Sequence, residues 1–504
     1  ASMGRWIVVA AVSMWIIPIS LIVNHIVPDP YMDEIFHIPQ TQQYCNGKFT
    51  SWDPMITTPP GLYVIALAYV ACWIPRFYHE NGVSAFVEAC SPSVLRSVNC
   101  LMAVACSILV YAIICHLKPR SGRRNAVAAS LVLAMHPLHW FFTFLYYTDV
   151  ASLTAVLSMY LACLKKKYHF SALMGVVSVL IRQTNIVWMV FVASIGVLNT
   201  VQSYSSDKEK VYGSTASSGK KVMQISSVGF GRVVRRRKTS EKSRAPIDDH
   251  SSENSSGLIT ELQTIISRTW AMKMEIFLSF LPFLIVLLSF IAFVRWNGSI
   301  VLGAKEAHSV SLHFAQLMYF SIFSAFMMAP FHIFTNHISD LLRSLKTRPF
   351  SSLIYFLLTA SFCFTAVHYY SIAHPYLLAD NRHYTFYLWR KLTMSHWSTK
   401  YLLVPAYAYS WLSIIHILRK SQTRLWVLAY VLATAAVLIP APLIEFRYYT
   451  IPFFFLAIHL PFTHFQSWIL TGLIFAAINC FTMFMFLFRP FNWKHESGLQ
   501  RFIW

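Results

Sequence analysis

Two adjacent carboxylates stand in the stretch YMDEIFHIPQ, residues 31–40, shortly after the first apolar run of the chain. A carboxylate that faces water can act as a general base and remove a proton from a hydroxyl group. Asp33 and Glu34 are neighbours, so their side chains diverge on any regular backbone and only one can point at a given acceptor. The alternative is that the pair only charges the first turn of a helix, where carboxylates meet a favourable dipole.

Arginines occur in three other segments, although an apolar protein keeps such charges mainly where they meet an anion or one another. Transfer of a sugar from a lipid phosphate to a hydroxyl group needs a base and cations. It needs no acid, because a phosphate monoester with a second pKa of about 6 leaves without being protonated. An anionic ligand would therefore explain these residues together, although Arg182 and Asp149 could instead form a structural ion pair. The arginines are Arg182, Arg382, Arg390 and Arg447.

The elements that position these residues are membrane spans. The chain has 504 residues, of which 56% are hydrophobic and 12% are charged, and no single soluble core could bury that composition. We therefore predict an all-α polytopic membrane protein with about 13 transmembrane helices. The spans are predicted near 6–27, 94–115, 125–146, 148–164, 170–181, 183–199, 274–294, 309–330, 351–370, 401–418, 425–440, 450–463 and 467–488.

Basic residues concentrate in segments that all fall on one side of these spans, which the positive-inside bias makes cytoplasmic. The apolar stretch at 61–75 would reverse this order if it crossed the membrane. We therefore predict an interfacial or re-entrant helix there, on the other side. The basic segments are HLKPRSGRR, 165–167, 343–348, 419–424 and 208–244, the last with eleven Lys or Arg.

Four segments carry a resemblance to a known family. They are PYMDEIFHIPQTQQYCNGKFTSWDPMITTPPGLY at 30–63, LLADNRHYTFYLWR at 377–390, EFRYYTIPFF at 445–454 and LQRFIW at 499–504. The chain resembles the dolichyl-phosphate-glucose-dependent α-1,2-glucosyltransferases of the asparagine-linked glycosylation pathway, which belong to the GT-C superfamily. The resemblance runs from the first span to the last residues, apart from 200–272.

The resemblance implies transfer of glucose from dolichyl-phosphate glucose to a diglucosylated dolichyl-pyrophosphate oligosaccharide. The product would carry a terminal α-1,2 linkage, formed with inversion by a single in-line displacement. The implied location is the endoplasmic reticulum membrane with a lumenal active site, and the partners are the two lipid substrates and membrane lipid, without nucleic acid. We expect no metal cofactor, because no carboxylate cluster has ligand spacing and cationic side chains can serve the phosphate.

The resemblance and the residue types together give each candidate residue an expected role. The first acid of such a pair is the usual base in GT-C enzymes, so the resemblance points to Asp33 as the catalytic base with Glu34 supporting it, and it leaves open which of the two acids acts. His37 is weak support by itself, because a lone histidine is more often a hydrogen-bonded packing residue than a ligand. The expected donor and phosphate contacts are Arg382, His383, Arg182 and Arg447, and the expected substrate contacts are His37, Asp380, Asn381 and Tyr384.

A polytopic transporter or flippase of lipid-linked sugars is the alternative function. Transporters place their coupling residues near the bilayer midplane between related halves. Here the polar residues gather on one predicted water-facing side, and we find no internal repeat. A catalytically silent membrane scaffold would not account for acids and arginines gathered together.

The predicted organisation divides the chain into five parts. Within it, Asn297 of NGS is a candidate N-glycan acceptor in a lumenal loop, whereas Asn254 of NSS is cytoplasmic and should stay bare. Cys45 and Cys90 are placed in water, and the sequence leaves open whether they pair. The parts are the first transmembrane helix (1–27), a lumenal loop with the acids and the interfacial helix (28–93), transmembrane helices of the catalytic module (94–199), a disordered basic cytoplasmic loop (200–272), and C-terminal transmembrane helices (273–504) with a lumenal loop at 371–400.

Overall fold

The computed structural model describes residues 2–73, 89–120, 122–219, 257–306, 310–333, 337–460, 465–494 and 498–504. The chain divides into two compact units, Ala1–Ala193 with Phe280–Trp504 and Ser194–Ser279. The described regular structure is almost entirely α-helix, which confirms the predicted fold class. The chain is an all-α polytopic membrane protein.

Helices in the first part of the chain overlap the predicted apolar windows, except at 34–45, in the predicted lumenal loop, and at 61–73, the stretch predicted to be interfacial or re-entrant. Apolar windows become helices because a chain in lipid must satisfy its backbone polar groups internally. They are α1 (Ser2–Ile26), α2 (Glu34–Cys45), α3 (Gly61–Trp73), α4 (Pro92–Leu117), α5 (Arg123–Ala134), α6 (Pro137–Phe142), α7 (Thr148–Leu164), α8 (Tyr168–Ile181) and α9 (Asn185–Gly219).

Helices of the second part include longer apolar elements and several short ones. They are α10 (Leu258–Ala271), α11 (Lys273–Asn297), α12 (Ala315–Met327), α13 (Ala329–Ile333), α14 (His337–Thr347), α15 (Pro349–Tyr369), α16 (Pro375–Ala379), α17 (Tyr384–Leu388), α18 (Thr399–Leu402), α19 (Val404–Arg419), α20 (Arg424–Leu438), α21 (Thr450–His459) and α22 (Phe465–Phe488). A π-helical turn covers Trp389–Thr393 and a 3-10 turn covers Phe446–Tyr449. Strands β1 (Phe491–Asn492) and β2 (Leu499–Gln500) pair antiparallel, with Phe491 opposite Gln500.

Several described helices have the length and apolar composition needed to cross a membrane. Shorter apolar helices, such as Thr148–Leu164 and Tyr168–Ile181, accompany them. Together they make the chain a multi-pass membrane protein. The seven long ones among the described residues are Met3–Ile26, Pro92–Leu117, Asn185–Tyr204, Lys273–Asn297, Pro349–Tyr369, Thr399–Arg419 and Phe465–Phe488.

The prediction of one continuous helix at 125–146 is wrong. α5 ends at Ala134, and α6 begins at Pro137. Proline has no N–H to donate and disfavours helical backbone in the residue before it, so His136 adopts ψ 125°. The chain leaves the helix again after Phe142, and this irregular stretch before α7 carries backbone groups that reach the functional site.

The predicted disordered segment at 200–272 differs from the structure at both ends. α9 continues to Gly219, and α10 occupies Leu258–Ala271. Neither stretch contains proline, and Ile259, Leu262 and Ile266 recur at helical spacing on α10, so both stretches can be helical. Residues 220–256, which include Asn254, lie outside the described residues.

α3 occupies most of the stretch predicted to be interfacial or re-entrant, and 74–88 lies outside the described residues. Leu62, Tyr63 and Ala66 pack into a core shared with α2, α4 and α8. Gly61 approaches α8 so closely that a Cβ atom would lie 2.4 Å from the carbonyl oxygen of Leu180. The start of α3 is therefore anchored in the helix bundle, and its position relative to the membrane stays a prediction.

A disulfide joins Cys45, the last residue of α2, to Cys90, which precedes α4 at a sequence separation of 45. A cross-link over such a loop constrains the unfolded chain, so we expect Cys45→Ser with Cys90→Ser to lower the free energy of unfolding by about 2–4 kcal/mol. The fall in thermal midpoint in detergent measures this effect. Cys72→Ser replaces an exposed free cysteine and is the control. An equal fall in both variants would contradict the assignment.

Candidate functional site

Asp33 and Glu34 lie at the start of α2 and point in different directions, as their adjacency predicts. Asp33 is the residue before the helix, its side chain is 40% exposed, and its Oδ2 lies 2.8 Å from Nη1 of Arg447. Glu34 is fully buried, and its Oε2 lies 2.6 Å from Nη2 of Arg96. One acid is therefore open to a ligand and the other is closed.

Arg96, in the second turn of α4, donates hydrogen bonds to both carboxylate oxygens of Glu34. Its Nε donates to Oε1 at 2.9 Å and its Nη2 to Oε2 at 2.6 Å. The other N–H groups donate to Oδ1 of Asn24 and to the carbonyl oxygens of Val27 and Asp29. These bonds use every N–H of the guanidinium, and a buried charge persists when it is paired and hydrogen-bonded in this way. Arg96 therefore ties the end of α1 to the start of α2.

The irregular stretch between α6 and α7 is bound by side chains of α2 and α4. Oε1 of Glu34 accepts a hydrogen bond from the backbone N–H of Tyr146 at 2.6 Å. Asn99 on α4 donates to the carbonyl oxygens of Leu145 at 2.6 Å and Tyr147 at 2.8 Å. These bonds satisfy backbone groups that the break in the helix would otherwise leave unpaired.

Sequence reasoning did not find Arg96 or Asn99. The signal was present, because RSVN places two strongly polar residues three positions apart in an otherwise apolar span. Such residues face a bundle interior or a partner rather than lipid. What the sequence lacked was any indication that the partner of Arg96 is Glu34, 62 residues earlier.

Asp33 belongs to a group of charged side chains, here called the charged cluster: Asp33, Asp149, Arg182, Glu445 and Arg447. Nη1 of Arg447 lies 2.8 Å from Asp33 and 3.8 Å from Oδ2 of Asp149, and its Nη2 lies 2.8 Å from Glu445. Nη1 of Arg182 donates to Oδ1 of Asp149 at 3.0 Å. The predicted Arg182–Asp149 ion pair is therefore present, and it is part of a larger network.

The charged cluster forms where helices begin and end. Asp33 precedes α2, and Asp149 is in the first turn of α7. Arg182 directly follows α8, and Arg447 lies in the 3-10 turn before α21. The topology drawn from the basic segments placed these same helix ends on one side of the membrane, and the structure brings them into contact.

The contact between Asp33 and Arg447 shifts the pKa of both groups. Burial alone would raise the pKa of Asp33, but the charge of Arg447 and its hydrogen bond to the carboxylate outweigh that effect and lower the pKa. Burial opposes the charge of Arg447, yet Glu445, Asp33 and Asp149 together raise its pKa well above the ordinary value. At neutral pH Asp33 is therefore a carboxylate and Arg447 a cation.

The two arginines of the cluster differ in what they leave for a ligand. Arg447 donates through Nε and Nη2 to Glu445 and through Nη1 to Asp33. Arg182 makes one side-chain hydrogen bond, to Asp149, and its side chain is 15% exposed. Its other N–H groups have no protein acceptor among the described residues, so they are available to an anion.

His37 is buried against α3. Its Nδ1 lies 2.7 Å from the hydroxyl oxygen of Tyr63. Burial lowers the pKa of His37, although the charge of Asp33 acts in the opposite direction. His37 is therefore a neutral, hydrogen-bonded residue near Asp33, and its predicted contact with substrate stays a prediction.

Arg382 of the ADNRHY segment is bound by the protein itself. Its Nε donates to Oδ1 of Asp380 at 2.9 Å and its Nη2 to Oδ2 at 2.7 Å. Its Nη1 donates to Oε1 of Gln500 at 3.0 Å, and the guanidinium lies 4.6 Å from the centroid of Trp493. The donors predicted to bind a phosphate are here directed at Asp380 and Gln500.

The LQRFIW segment connects ADNRHY to the first loop. The hydroxyl group of Tyr31 bonds both the N–H and the carbonyl oxygen of Arg501 at 2.7 Å. The N–H of Ile503 donates to the carbonyl oxygen of Arg382 at 2.9 Å, and its own carbonyl oxygen accepts from the N–H of Tyr384 at 3.2 Å. The ADNRHY and LQRFIW segments are thus joined to each other and to Tyr31, two residues before Asp33.

The remaining predicted residues of ADNRHY also meet protein partners. Nδ1 of His383 lies 2.9 Å from the carbonyl oxygen of Trp504, and Oδ1 of Asn381 accepts from Nε1 of Trp493 at 2.8 Å. The hydroxyl group of Tyr384 is buried and has no hydrogen-bond partner within the described ranges. Their predicted substrate contacts stay predictions.

Two predictions remain, the N-glycan on Asn297 and the absence of a metal cofactor. Nδ2 of Asn297 donates to the carbonyl oxygens of Ser299 and Val301 at 2.8 Å, and its glycosylation stays a prediction. In the part of the chain that the structure describes, no group of three or more His, Cys, Asp or Glu residues could hold a metal ion.

Comparisons with known proteins place the chain in a family. The DIE2/ALG10 family matches residues 27–458. The Arabidopsis thaliana protein named Dol-P-Glc:Glc(2)Man(9)GlcNAc(2)-PP-Dol alpha-1,2-glucosyltransferase is 53% identical over 511 residues, which cover 100% of both chains. Proteins of the same name from Mus musculus and Homo sapiens are 34% identical, over 94% of this chain and 93% of theirs. No solved structure matches. The chain belongs to the DIE2/ALG10 family.

Proposed function

We propose that the chain is an inverting α-1,2-glucosyltransferase. It transfers glucose from dolichyl-phosphate glucose to the diglucosylated dolichyl-pyrophosphate oligosaccharide and forms the terminal α-1,2 linkage. The names of relatives that cover nearly all of this chain support the proposal. The structural observation that carries it is the partly exposed carboxylate of Asp33, paired with Arg447 beside Asp149 and Arg182.

Asp33 is the general base of the proposed reaction. The hydroxyl oxygen of the acceptor forms a bond to the anomeric carbon of the donor glucose and gives its proton to Asp33. The bond between that carbon and the phosphate oxygen breaks, and the phosphate leaves with the electron pair. A single displacement of this kind inverts the configuration. The lowered pKa of Asp33 keeps the base ionised before the reaction.

Arg182 and Arg447 stabilise the charge that develops on the departing phosphate. Donors that are already in position are effective because they need no reorganisation as the charge appears. Arg182 supplies N–H groups without a protein acceptor among the described residues, and Arg447 contributes its charge from within the network. Arg382 and His383 are proposed to position the LQRFIW segment, and their predicted phosphate contacts stay predictions.

Glu34 is a positioning residue in this proposal. Both of its oxygens are bound by Arg96, and Oε1 also accepts from Tyr146. These bonds fix the first turn of α2. Asp33 immediately precedes that turn, so its backbone is fixed at the place from which its carboxylate pairs with Arg447.

The proposed location is the endoplasmic reticulum membrane, with the charged cluster in the lumen. The positive-inside pattern of the loops supports this side. The disulfide between Cys45 and Cys90 also supports it, because disulfides persist in oxidising compartments, and Cys45 ends the helix that Asp33 begins.

The transporter alternative has less support. A coupling site would lie near the middle of the membrane between related halves. The charged cluster is instead formed at helix ends. The relatives are named as transferases.

A reconstitution experiment tests the proposed function. The purified chain is given dolichyl-phosphate glucose labelled in the sugar and a lipid-linked Glc(2)Man(9)GlcNAc(2) acceptor. We expect one labelled glucose to be added, in a linkage that an α-1,2-specific glucosidase cleaves. Movement of the labelled lipid across sealed vesicles without any transfer would contradict the proposal and favour the transporter.

The pH dependence of kcat/KM reports the ionisation of Asp33 in the free enzyme. Because its folded pKa is lowered, activity should persist as the pH falls through the usual range of an aspartic acid. Arg447→Gln removes the positive charge that lowers the pKa, so the acid limb of the profile should move to higher pH. Arg447→Lys keeps the charge and is the control, with a limb near that of the parent. An acid limb that stays in place in Arg447→Gln would show that Asp33 does not control the profile.

A further inference from the structure

We propose that a groove beside the π-helical turn binds the pyrophosphate and adjoining lipid of the acceptor, an inference that rests on the proposed function. The groove has a cationic half and an apolar half. The cationic half has a volume of about 590 Å³ and is lined by Phe386, Tyr387, Arg390, Lys391 and Ser395.

The apolar half of the groove adjoins the cationic half and shares two of its residues, Phe386 and Arg390. Leu378 and Met394 of this half are 50% and 63% exposed, so an apolar surface stands open beside the cations. A lipid pyrophosphate combines a hydrocarbon chain with an anionic head, and the two halves match these two parts. The apolar half has a volume of about 410 Å³ and is lined by Leu377, Leu378, Phe386, Trp389, Arg390 and Met394.

Among the described residues, the two cations of the groove have no acid partner. Arg390 and Lys391 are exposed, and no ion pair joins either one to a carboxylate in the described part of the chain. Arg390 only lies over the ring of Phe386, 5.9 Å from its centroid. Arg382 and Arg447, by contrast, are bound by carboxylates. Arg390 and Lys391 therefore give the groove two adjacent positive charges, which complement the charge of a phosphate group.

The π-helical turn supplies a second, independent observation. It covers Trp389–Thr393, and the N–H of Met394 donates to the carbonyl oxygen of Trp389 at 3.0 Å. Single π-helical turns are rare and frequently occur at functional sites. Trp389, the first residue of this turn, lines the groove and is 7% exposed. The π-helical turn therefore forms part of the wall of the groove.

The position of the groove favours the acceptor over the donor. Trp389 and Leu377 pack against Ile444, the residue before Glu445, so the groove backs onto the charged cluster without including any of its members. The donor phosphate is bonded to the reacting carbon and must lie within the charged cluster. The acceptor pyrophosphate is separated from the reacting hydroxyl group by the glycan, as the name Glc(2)Man(9)GlcNAc(2)-PP-Dol specifies. It must therefore bind elsewhere, and the groove meets that requirement.

Steady-state kinetics of the full-length chain test the proposal. Arg390→Gln with Lys391→Gln removes both charges from exposed positions. We expect the KM for the lipid-linked acceptor to rise about tenfold or more, because charge-assisted bonds to phosphate are lost. The kcat and the KM for dolichyl-phosphate glucose should stay within about twofold.

Two controls show whether a change in the acceptor KM comes from the groove cations and from the pyrophosphate of the acceptor. Arg489→Gln with Lys494→Gln removes two exposed cations that do not line the groove, and should leave every constant unchanged. The glycan released from its lipid pyrophosphate should be used equally well by the parent and by Arg390→Gln with Lys391→Gln. All variants are compared after they elute from size exclusion as the parent does.

Three results would overturn the proposal. They are an unchanged acceptor KM, a rise confined to the donor KM, and an equal loss with the released glycan. The last result would make the groove a sugar site. A parent chain that transfers no glucose would contradict the proposed function itself, whereas an active parent with unaffected variants would contradict only the groove.

Discussion

Asp33→Asn is expected to lower kcat for glucose transfer by about 10²–10⁴-fold, the range typical of a lost general base. Asparagine keeps the size of the side chain and can still accept a hydrogen bond from Arg447, so the chain should fold and bind dolichyl-phosphate glucose. It cannot take the proton of the acceptor hydroxyl group. Single-turnover measurements with labelled donor isolate this step from product release, and a separate binding assay shows that the donor site is intact.

Glu34→Gln is the matched control for Asp33→Asn, because it removes the neighbouring charge by the same one-atom change. Glu34 is fully buried and bound by Arg96, so this variant should lose stability while each folded molecule keeps a transfer rate much closer to that of the parent. Near-normal transfer by Asp33→Asn together with abolished transfer by Glu34→Gln would show that the base is assigned to the wrong acid.

Arg96→Leu is expected to lower the free energy of unfolding by about 3–5 kcal/mol, because it leaves the charge of Glu34 buried without its partner. It also removes the donors that bind Asn24, Val27 and Asp29. Thermal unfolding in detergent, followed by intrinsic fluorescence, measures the loss. Arg96→Lys keeps a charge but offers three donors in place of five, so its thermal midpoint should lie between those of the parent and Arg96→Leu.

Arg182→Leu is the control for the effect of burial. Arg182 also pairs with a carboxylate, but its side chain is 15% exposed whereas that of Arg96 is fully buried. The remaining charge of Asp149 still has Arg447 nearby, 3.8 Å away. Arg182→Leu should therefore cost less stability than Arg96→Leu. An Arg96→Leu variant that unfolds at the temperature of the parent would contradict the role given to the buried pair.

The helical fold could be predicted because the bilayer imposes a simple rule. A segment in lipid has to satisfy its own backbone groups, so apolar length translates into helix. The rule failed at 125–146, where Pro137 divides the window and the following stretch needs partners from elsewhere in the chain. Those partners, Asn99 and Glu34, are distant in sequence, and hydropathy carries no information about such pairs.

The candidate site was predictable in its residue types but not in its internal pairing. Adjacency of Asp33 and Glu34 implies that they diverge, and the structure shows this divergence. Which acid is open depends on Arg96, 62 residues after Glu34, and on Arg447, 414 residues after Asp33. The sequence likewise indicated that Arg382 meets an anion, but not that the anion is Asp380, two residues earlier.

The central claim is that the donor phosphate lies in the charged cluster with its glucose beside Asp33. A structure of the purified chain with a phosphonate analogue of dolichyl-phosphate glucose tests it most directly. We expect a phosphonate oxygen within hydrogen-bond distance of Arg182 and the anomeric carbon facing the carboxylate of Asp33. A phosphonate bound by Arg390 and Lys391, or by any residues outside the charged cluster, would contradict the account.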